Sequence, residues 1–318
     1  MRRSFDGSTS GPLARLASCC ARACSVGAPL LLSAALSGCD RGVLDPAGPV
    51  GADERTILLD SLAIMLAIVI PTIVCTLAFA WWYRAGNTRA AYTPNWAESG
   101  KLELLVWSIP ALVVLFVGSI AWISAHDLDP AEPLRSDVKP LEVEVVALDW
   151  KWLFIYPDLG IASMNQLVTP VGVPVHFRLT AASVFNVFWV PQLGSMIYAM
   201  NGMVTQLNLA ADRTGTFLGV AAHFNGDGFP DMTFETNVVS AEDFSRWVAS
   251  ARAEGPALDE TAYRALLPQS ARVPARTYRT VSPHLFEEIA SRHLPPGDGP
   301  QVTEGRAEPV AAASPLDQ

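Results

Sequence analysis

Cysteine is scarce in this chain, and its distribution is more informative than its number. The sequence of 318 residues contains five cysteines, all in the first quarter of the chain: Cys19, Cys20, Cys24, Cys39 and Cys75. The rest of the chain can form no disulfide and can offer no thiolate to a metal. Any site in that part must therefore work without cysteine sulfur.

Positive charge is also scarce. There are 22 Lys and Arg residues against 31 Asp and Glu residues, which gives a net charge of −9. This balance excludes a nucleic-acid partner, because binding phosphates requires clustered Lys and Arg. Half of the residues are apolar, which is too many for an ordinary soluble protein. We therefore expect a few membrane-spanning helices joined to a folded soluble domain.

The N-terminus has the order of features that is typical of a secretory signal. A basic leader with Arg2 and Arg3 precedes a short apolar run at residues 26–36, and Leu36-Ser37-Gly38-Cys39 follows. This ending resembles the bacterial lipobox, in which the cysteine is acylated and becomes the first residue after cleavage. The resemblance implies that residues 1–38 are removed, that Cys39 carries lipid such as palmitate, and that residues 39–56 form a periplasmic segment. Asp40 implies retention in the inner membrane.

Two long apolar stretches predict a transmembrane hairpin over residues 57–125. Residues 57–82 and 104–123 are each long enough to cross a hydrocarbon core of about 30 Å at roughly 1.5 Å per residue. The loop between them contains Arg84, Arg89 and Lys101, so the positive-inside rule places it in the cytoplasm. Both ends of the hairpin then face outwards. This topology agrees with a lipidated Cys39 and places the rest of the chain in the periplasm.

From residue 138 to residue 240 the pattern changes to short β runs separated by turn residues. The strand candidates are residues 141–148, 174–180, 184–190, 204–210 and 233–239. Strands at this spacing over about a hundred residues predict a sandwich or a Greek-key barrel. The fold class is therefore membrane α plus all-β.

A helical extension is expected after the β-domain, over residues 241–294. Ser240 and Asp243 resemble a capping box that opens a helix to about Arg252. Two further helical stretches are expected at residues 258–267 and 283–293, with Ser282 as the N-cap of the second. Residues 295–318 are rich in Pro, Gly, Glu and Ala, and we expect them to be disordered.

Three motifs carry a resemblance to a known family. They are Tyr83-Arg84-Ala85-Gly86-Asn87 with Tyr92-Thr93-Pro94-Asn95-Trp96, then Lys101-Leu102-Glu103 with Val106-Trp107-Ser108-Ile109-Pro110, and Asp149-Trp150-Lys151-Trp152-Leu153-Phe154-Ile155-Tyr156-Pro157. Together with the hairpin, they resemble subunit II of the haem–copper oxidases, and in particular the bo-type ubiquinol oxidase branch. The resemblance runs from about Cys39 to His293 and implies a cupredoxin-like Greek-key barrel in the periplasm.

The copper-binding positions of that family are degenerate in this sequence. Copper-containing relatives supply a His from one strand and Cys, Glu, Cys, His and Met from one loop. Here the corresponding residues are Asn186, Ala221, His223, Asn225, Phe229 and Met232. A two-copper centre needs both bridging thiolates, so we predict no copper in this domain and no electron entry from cytochrome c.

The resemblance implies a redox-silent subunit of a proton-translocating quinol oxidase, with no catalytic residue of its own. Quinol, haems and the remaining copper would be bound mainly or wholly by subunit I. The expected partners are subunit I, the smaller subunits of the complex and membrane lipid. The resemblance favours ubiquinol over menaquinol, which the residues alone do not distinguish.

Two other functions compete with this interpretation. A cytochrome c oxidase with an intact copper centre is disfavoured by the missing ligands. A free-standing periplasmic lipoprotein, acting as a binding or assembly factor, is disfavoured by the loop and helix motifs. A neighbouring gene for a His-rich subunit of twelve or more helices would distinguish the two classes.

Single residues allow two readings each. Glu103 is either an interfacial carboxylate favoured by the helix dipole or, as the family implies, a proton-entry residue at the cytoplasmic mouth of a channel into subunit I. His223, alone or with His176, is a weak metal-ligand candidate beside the plainer reading of a surface histidine. Trp150 and Trp152 match aromatics near the electron entry point of relatives, but packing explains them as well.

Overall fold

A computed structural model describes residues 42–91, 93–297 and 299. The signal segment, Cys39 and most of the C-terminal tail lie outside the described residues. The expectations made for them therefore remain sequence-based.

Two long helices form the hairpin. Helix α1 spans Pro49–Trp82 and helix α2 spans Gly100–Asp127, and both are long and apolar enough to cross a membrane. Helix α1 begins eight residues before the predicted start of the hairpin at residue 57, with Pro49 in its first turn, where proline is favoured. Helix α2 continues two residues beyond the predicted end at residue 125. Hydropathy locates the apolar stretch, whereas the hydrogen-bonded helix continues through polar residues on both sides.

Ten strands build two sheets that pack as a β-sandwich. They are β1 Leu141–Leu148, β2 Lys151–Tyr156, β3 Ile161–Met164, β4 Gln166–Pro170, β5 Val175–Ala181, β6 Asn186–Val190, β7 Gly194–Ala199, β8 Thr205–Leu209, β9 Gly215–Ala221 and β10 Thr233–Val239. One sheet has the order β3-β2-β1-β5-β8, and the other has the order β4-β10-β9-β6-β7. Strand β1 runs parallel to β5, and β4 runs parallel to β10. These two crossovers give the domain a mixed topology that hairpins alone cannot produce.

An aromatic core fills the space between the two sheets. Phe188 of β6 stacks on Phe234 of β10 at 5.1 Å between ring centroids, and Trp152 meets Phe188 edge-on at 5.5 Å. Gly219 lies opposite Phe234 in the β9–β10 ladder. A Cβ atom on Gly219 would lie 2.1 Å from that ring, so glycine makes room for the phenylalanine.

The C-terminal extension packs its first helix against the core between the sheets and, from Leu258 onward, forms a second core on the outer face of the first sheet. It contains α3 Ala241–Ala253, β11 Ala257–Leu258, α4 Glu260–Arg264, β12 Arg276–Tyr278, β13 Thr280–Val281 and α5 Leu285–Ala290. Strand β12 pairs with β3 and so lengthens that sheet. The buried residues of α5, together with Tyr263 and Tyr278 of the extension, pack against the outward side chains of β1 and β2.

Two details of the extension differ from the sequence-based expectation. The segment is not only helical, because three of its short stretches pair as strands. Ser282 is not the N-cap of the last helix: His284 takes that position in a left-handed conformation and makes no side-chain capping bond. Pairing with another strand is a tertiary effect, so local capping patterns do not reveal it.

Helix α1 is joined to the β-domain by a close backbone contact just before its first residue. We call this contact of Ala47 and Gly48 with the β-domain the seam. The Ala47 amide donates to the Gln192 carbonyl at 2.6 Å, and the Asp212 amide donates to the Ala47 carbonyl at 2.8 Å. Within this seam a Cβ atom on Gly48 would lie 1.9 Å from the Ala210 carbonyl oxygen. Glycine is therefore required at residue 48 by space, since its backbone is in the extended region.

Candidate functional site

The six residues that the family resemblance assigned to copper-ligand positions lie at one end of the second sheet. Asn186 is the first residue of β6, Ala221 is the last residue of β9, and Met232 directly precedes β10. Strands β6 and β9 are antiparallel neighbours, with Phe188 opposite Ala221. This register brings the start of β6 next to the loop that connects β9 to β10. The sheet therefore gathers these positions in space, although the first and the last are 46 positions apart in the sequence.

Three of the six side chains form a buried polar knot, which we define as Asn186, Asn225 and Met232. The Asn225 side-chain amide donates to Asn186 Oδ1 and to Met232 Sδ, the latter at 3.0 Å. Asn186 in turn donates through Nδ2 to the Val184 carbonyl at 3.1 Å. The exposed fractions of Asn186, Asn225 and Met232 are 1%, 8% and 0%. The knot is thus a set of mutually hydrogen-bonded groups inside the domain.

The chemistry of this knot does not fit a two-copper centre. Its side chains are two amides and one thioether, and the Asn225 amide nitrogen is engaged as a donor. Bridging thiolates are needed to keep two soft copper ions close together, and the knot contains neither thiolate nor imidazole. The buried Asn225 Oδ1 accepts no hydrogen bond within the described part of the chain. Asn186, Asn225 and Met232 are therefore arranged for hydrogen bonding between their side chains.

The other three residues, His223, Phe229 and Ala221, do not belong to this hydrogen-bonded group and make separate contacts. The ring of His223 packs against Phe185 with 4.5 Å between centroids and lies 6.4 Å from Tyr198. Phe229 packs against Phe224. Ala221 is buried, and its backbone amide donates to the Met232 carbonyl at 3.0 Å.

The structure gives no support to the pairing of His223 with His176. His176 lies on β5 and forms an ion pair with Glu142 of β1 at 2.9 Å, whereas His223 lies in the aromatic group just described. Over the described ranges, no cluster of three or more His, Cys, Asp or Glu residues could hold a metal ion.

Trp150 fastens the loop that carries Asn225, and the sequence did not reveal this contact. Its backbone is left-handed, with φ at 62°, which turns the chain between β1 and β2. The indole Nε1 donates to the Asn225 carbonyl at 3.3 Å, and a Cβ atom on Gly228 would lie 2.2 Å from the indole ring. Trp152, by contrast, is completely buried in the aromatic core. Both tryptophans have structural contacts that account for their positions.

Two groups of charges, each centred on or containing one buried side chain, connect the β-domain to the extension, and sequence reasoning missed both. Lys151 Nζ donates to the Pro268 carbonyl at 2.8 Å and to Ser270 Oγ at 2.6 Å. Burial lowers the pKa of the Lys151 ammonium to about 8, although the nearby Asp149 opposes the shift. From the sequence alone, a lysine in a strand is expected to lie at the surface. The residues that bury Lys151 follow more than 100 positions later in the chain.

The second group is centred on Arg178 of β5. Its Nη1 atom lies 2.8 Å from Glu144 Oε1 of β1 and 3.1 Å from Glu287 Oε1 of α5. Burial, and then the nearby Glu287, raise the pKa of the Glu144 carboxyl to about 7, against the effect of Arg178. Glu144 lies in the strand candidate at residues 141–148, but nothing in the sequence indicated that this strand packs against α5.

Glu103 lies in the first turn of α2, at the end of the hairpin that faces its connecting loop, and it is exposed. Its backbone amide donates to the Ser99 carbonyl at 2.9 Å. It is far along the chain from the buried knot, at the other end of the second spanning helix.

Comparisons with known proteins match both parts of the chain beyond the hairpin. Residues 159–239 match the family described as cytochrome c oxidase subunit II, periplasmic domain. Residues 252–297 match the family described as COX aromatic rich motif.

Proteins that are similar over most of the chain are named as subunit 2 of ubiquinol oxidases. The chain is 45% identical to cytochrome bo(3) ubiquinol oxidase subunit 2 of Pseudomonas aeruginosa, over 87% of this chain and 83% of the relative. It is 47% identical to ubiquinol oxidase subunit 2 of Acetobacter aceti, over 81% of this chain and 84% of the relative. Among solved structures, the periplasmic domain of cytochrome oxidase subunit II of Bradyrhizobium japonicum is 25% identical, with a TM-score of 0.36, and covers 38% of this chain and 96% of that one.

Proposed function

The chain belongs to the subunit 2 family of bo(3)-type ubiquinol oxidases, and from this premise we propose that it serves as a redox-silent subunit of such a complex. The complex would oxidise quinol and reduce O2 to water, coupled to proton translocation. The observation that carries the proposal is the buried knot of Asn186, Asn225 and Met232 at the copper-ligand positions. Electrons would then reach the haems directly from quinol in subunit I, where the haems and the remaining copper are also proposed to lie.

In this proposal the chain contributes surfaces and not a reaction centre. The two spanning helices carry large apolar side chains on their outer surfaces, which suits contact with subunit I, with the smaller subunits and with membrane lipid. The β-domain, proposed over residues 138–240, would cover the periplasmic side of subunit I. Cys39 is proposed as the lipid-bearing residue at the inner membrane, on the strength of the Leu36-Ser37-Gly38-Cys39 motif.

The first test is the choice of electron donor. Oxygen uptake by the purified complex is measured with a short-chain ubiquinol and, separately, with reduced cytochrome c. We expect rapid uptake with ubiquinol and none above background with cytochrome c, because the knot offers no ligand set for the copper that would accept its electron. Rapid uptake with cytochrome c would overturn the redox-silent role, and failure with ubiquinol would overturn the assignment to quinol oxidation.

A second test concerns Glu103 as the proton-entry residue. A carboxylate at the membrane boundary can collect protons from the cytoplasm and pass them to a partner. We expect Glu103→Ala to lower quinol-driven turnover by about tenfold, the low end of the rate gains attributed to charged steering groups. Subunit composition on a native gel should be unchanged.

Glu98→Ala is the matched control, because it removes the same charge from an exposed position in the adjacent loop. The control should retain full turnover. Equal turnover in Glu103→Ala and in the wild type would remove Glu103 from the proton route. A fall shared equally by both variants would assign the effect to general surface charge.

A further inference from the structure

The last helix of the extension rests on a cluster of charges that is partly shut away from water. Glu144 of β1 has a side chain that is only 8% exposed, and Arg178 of β5 lies directly opposite it in the parallel ladder. From the extension, Glu287 of α5 approaches the same guanidinium nitrogen as Glu144. The Arg178 cation therefore forms ion pairs with two carboxylates, the buried Glu144 and the half-exposed Glu287.

The contacts around Arg178 also attach α5 to the sheet by packing. The guanidinium carbon lies 4.9 Å from the centre of the Phe286 ring. Phe286, Leu285 and Ile289 are all buried against the outer face of the sheet. Arg178 thus contacts two neighbouring residues of α5, one through its charge and one through its flat face.

A cavity of about 280 Å³ lies beside this cluster and is lined by Glu144, Tyr156, His284 and Glu287 among others. The charged and titratable groups around Glu144 are Glu142 on its own strand, Arg178 and His176 on β5, Tyr156 on β2, and Glu287 and His284 on the extension. The Tyr156 hydroxyl is engaged with the Val168 carbonyl at 3.0 Å, and His176 pairs with Glu142. Of these groups, Arg178 and Glu287 make the direct contacts that matter for α5.

We propose that Glu144, Arg178 and Glu287 form a pH-responsive latch, which fastens α5 to the β-domain more firmly when the periplasm is acidic. When Glu144 is protonated, the Arg178 cation pairs with Glu287 alone and the cluster is electrically balanced. When Glu144 is ionised, two carboxylates share one guanidinium and an excess negative charge lies near the buried interface. The interface between α5 and the sheet is then weakened.

The direction of this effect follows from proton linkage. Burial and the nearby Glu287 raise the pKa of Glu144 from 4.5 to about 7, so the docked state binds more protons than an undocked state with an ordinary carboxyl. Docking is then strongest below pH 4.5 and weakens as the pH rises towards 7, and above that it changes no further. The latch depends on the β-domain and extension alone, and it stands whether or not the complex oxidises quinol.

The test is amide hydrogen exchange of residues 285–290 in the full-length chain within its purified complex. The opening of α5 is compared between the wild type and Glu144→Gln at the same pH, so that the intrinsic pH dependence of exchange cancels. The glutamine keeps the shape of the side chain and cannot ionise. We expect the ratio of wild-type to variant opening to grow roughly 25-fold between about pH 5.5 and pH 8.

Two further variants distinguish the latch from a general effect of charge. Glu142→Gln removes a carboxylate from the same strand that pairs with His176, and its opening should retain the growth with pH seen in the wild type. In Glu287→Gln the Arg178 guanidinium pairs with Glu144 alone. The increase of α5 opening with pH should then be smaller than in the wild type. A constant ratio of wild type to Glu144→Gln would overturn the proposal, as would loss of the growth in Glu142→Gln.

Discussion

Replacing Gly48 with alanine is expected to destabilise the junction between the membrane hairpin and the β-domain by about 3 kcal/mol, the upper part of the usual range for overpacking. The added Cβ atom would lie 1.9 Å from the carbonyl oxygen of Ala210. A backbone carbonyl cannot rotate away as a side chain can, so the strand end or the helix start must move. Movement there would break hydrogen bonds of Ala47 with Gln192 or Asp212.

The measurement is the unfolding of the full-length chain in detergent, followed by near-ultraviolet circular dichroism during a urea titration. Gly100→Ala is the matched control, since it makes the same change at the start of the second spanning helix where a Cβ atom meets nothing within 4 Å. The control should unfold at the same urea concentration as the wild type. Equal midpoints for Gly48→Ala and Gly100→Ala would mean that the seam does not fix the position of α1.

The seam also shows what the sequence could not predict. The sequence contains the two glycines Gly48 and Gly51, but it does not indicate that they face residues more than 140 positions later. Local patterns placed both spanning helices, and strand β10 has the predicted bounds Thr233–Val239. These elements have strong periodicity or long apolar runs, which are the signals that sequence reading detects best.

Strands without alternation were missed for a physical reason. Strand β2 is buried along its whole length, because the aromatic core covers one face and the extension covers the other. Such a strand reads as a continuous apolar run interrupted by Lys151, and not as alternating residues. Strand β9 contains two glycines and a threonine, which read as a turn or a loop. In both cases tertiary packing, and not local preference, sets the structure.

The candidate site was predictable in part. Comparison with the family motif identified the six degenerate positions from Asn186 to Met232, and a lack of thiols followed from composition alone. The hydrogen bond between Asn225 and Asn186 was not predictable, because it depends on the register of β6 against β9 and on the course of the loop. Likewise, the sequence favoured a packing role for Trp150, but it did not reveal the hydrogen bond from its indole to the Asn225 carbonyl.

Removing the acceptor of the buried knot is expected to cost stability. In Asn186→Ala the Asn225 amide loses the oxygen to which it donates, in a place where water does not readily replace it. Leaving a buried donor unsatisfied costs about 1–3 kcal/mol. The free energy of unfolding of the full-length chain in detergent should fall by that amount.

The two asparagines should also be energetically coupled. Each single change to alanine removes one partner of the same hydrogen bond, so the double variant Asn186→Ala/Asn225→Ala should lose less stability than the two single losses added together. A coupling of about 0.5–3 kcal/mol is typical of residues in one hydrogen-bond network. Met164→Leu is the matched control, because it makes a volume-conserving change at a fully buried position outside the knot and should cost less than about 1.5 kcal/mol. Strictly additive losses would show that the two amides do not interact.

The same variants separate a structural knot from an electron-transfer site. A redox-silent knot should allow Asn186→Ala, Asn225→Ala and Met232→Leu to change stability while quinol-driven oxygen uptake per haem stays at the wild-type rate in every complex that assembles. Stability and turnover are independent readouts here, because the knot lies inside one domain and the proposed electron route lies in subunit I. A variant that kept its stability and lost turnover would place that residue on an electron path, and the redox-silent role would then fail.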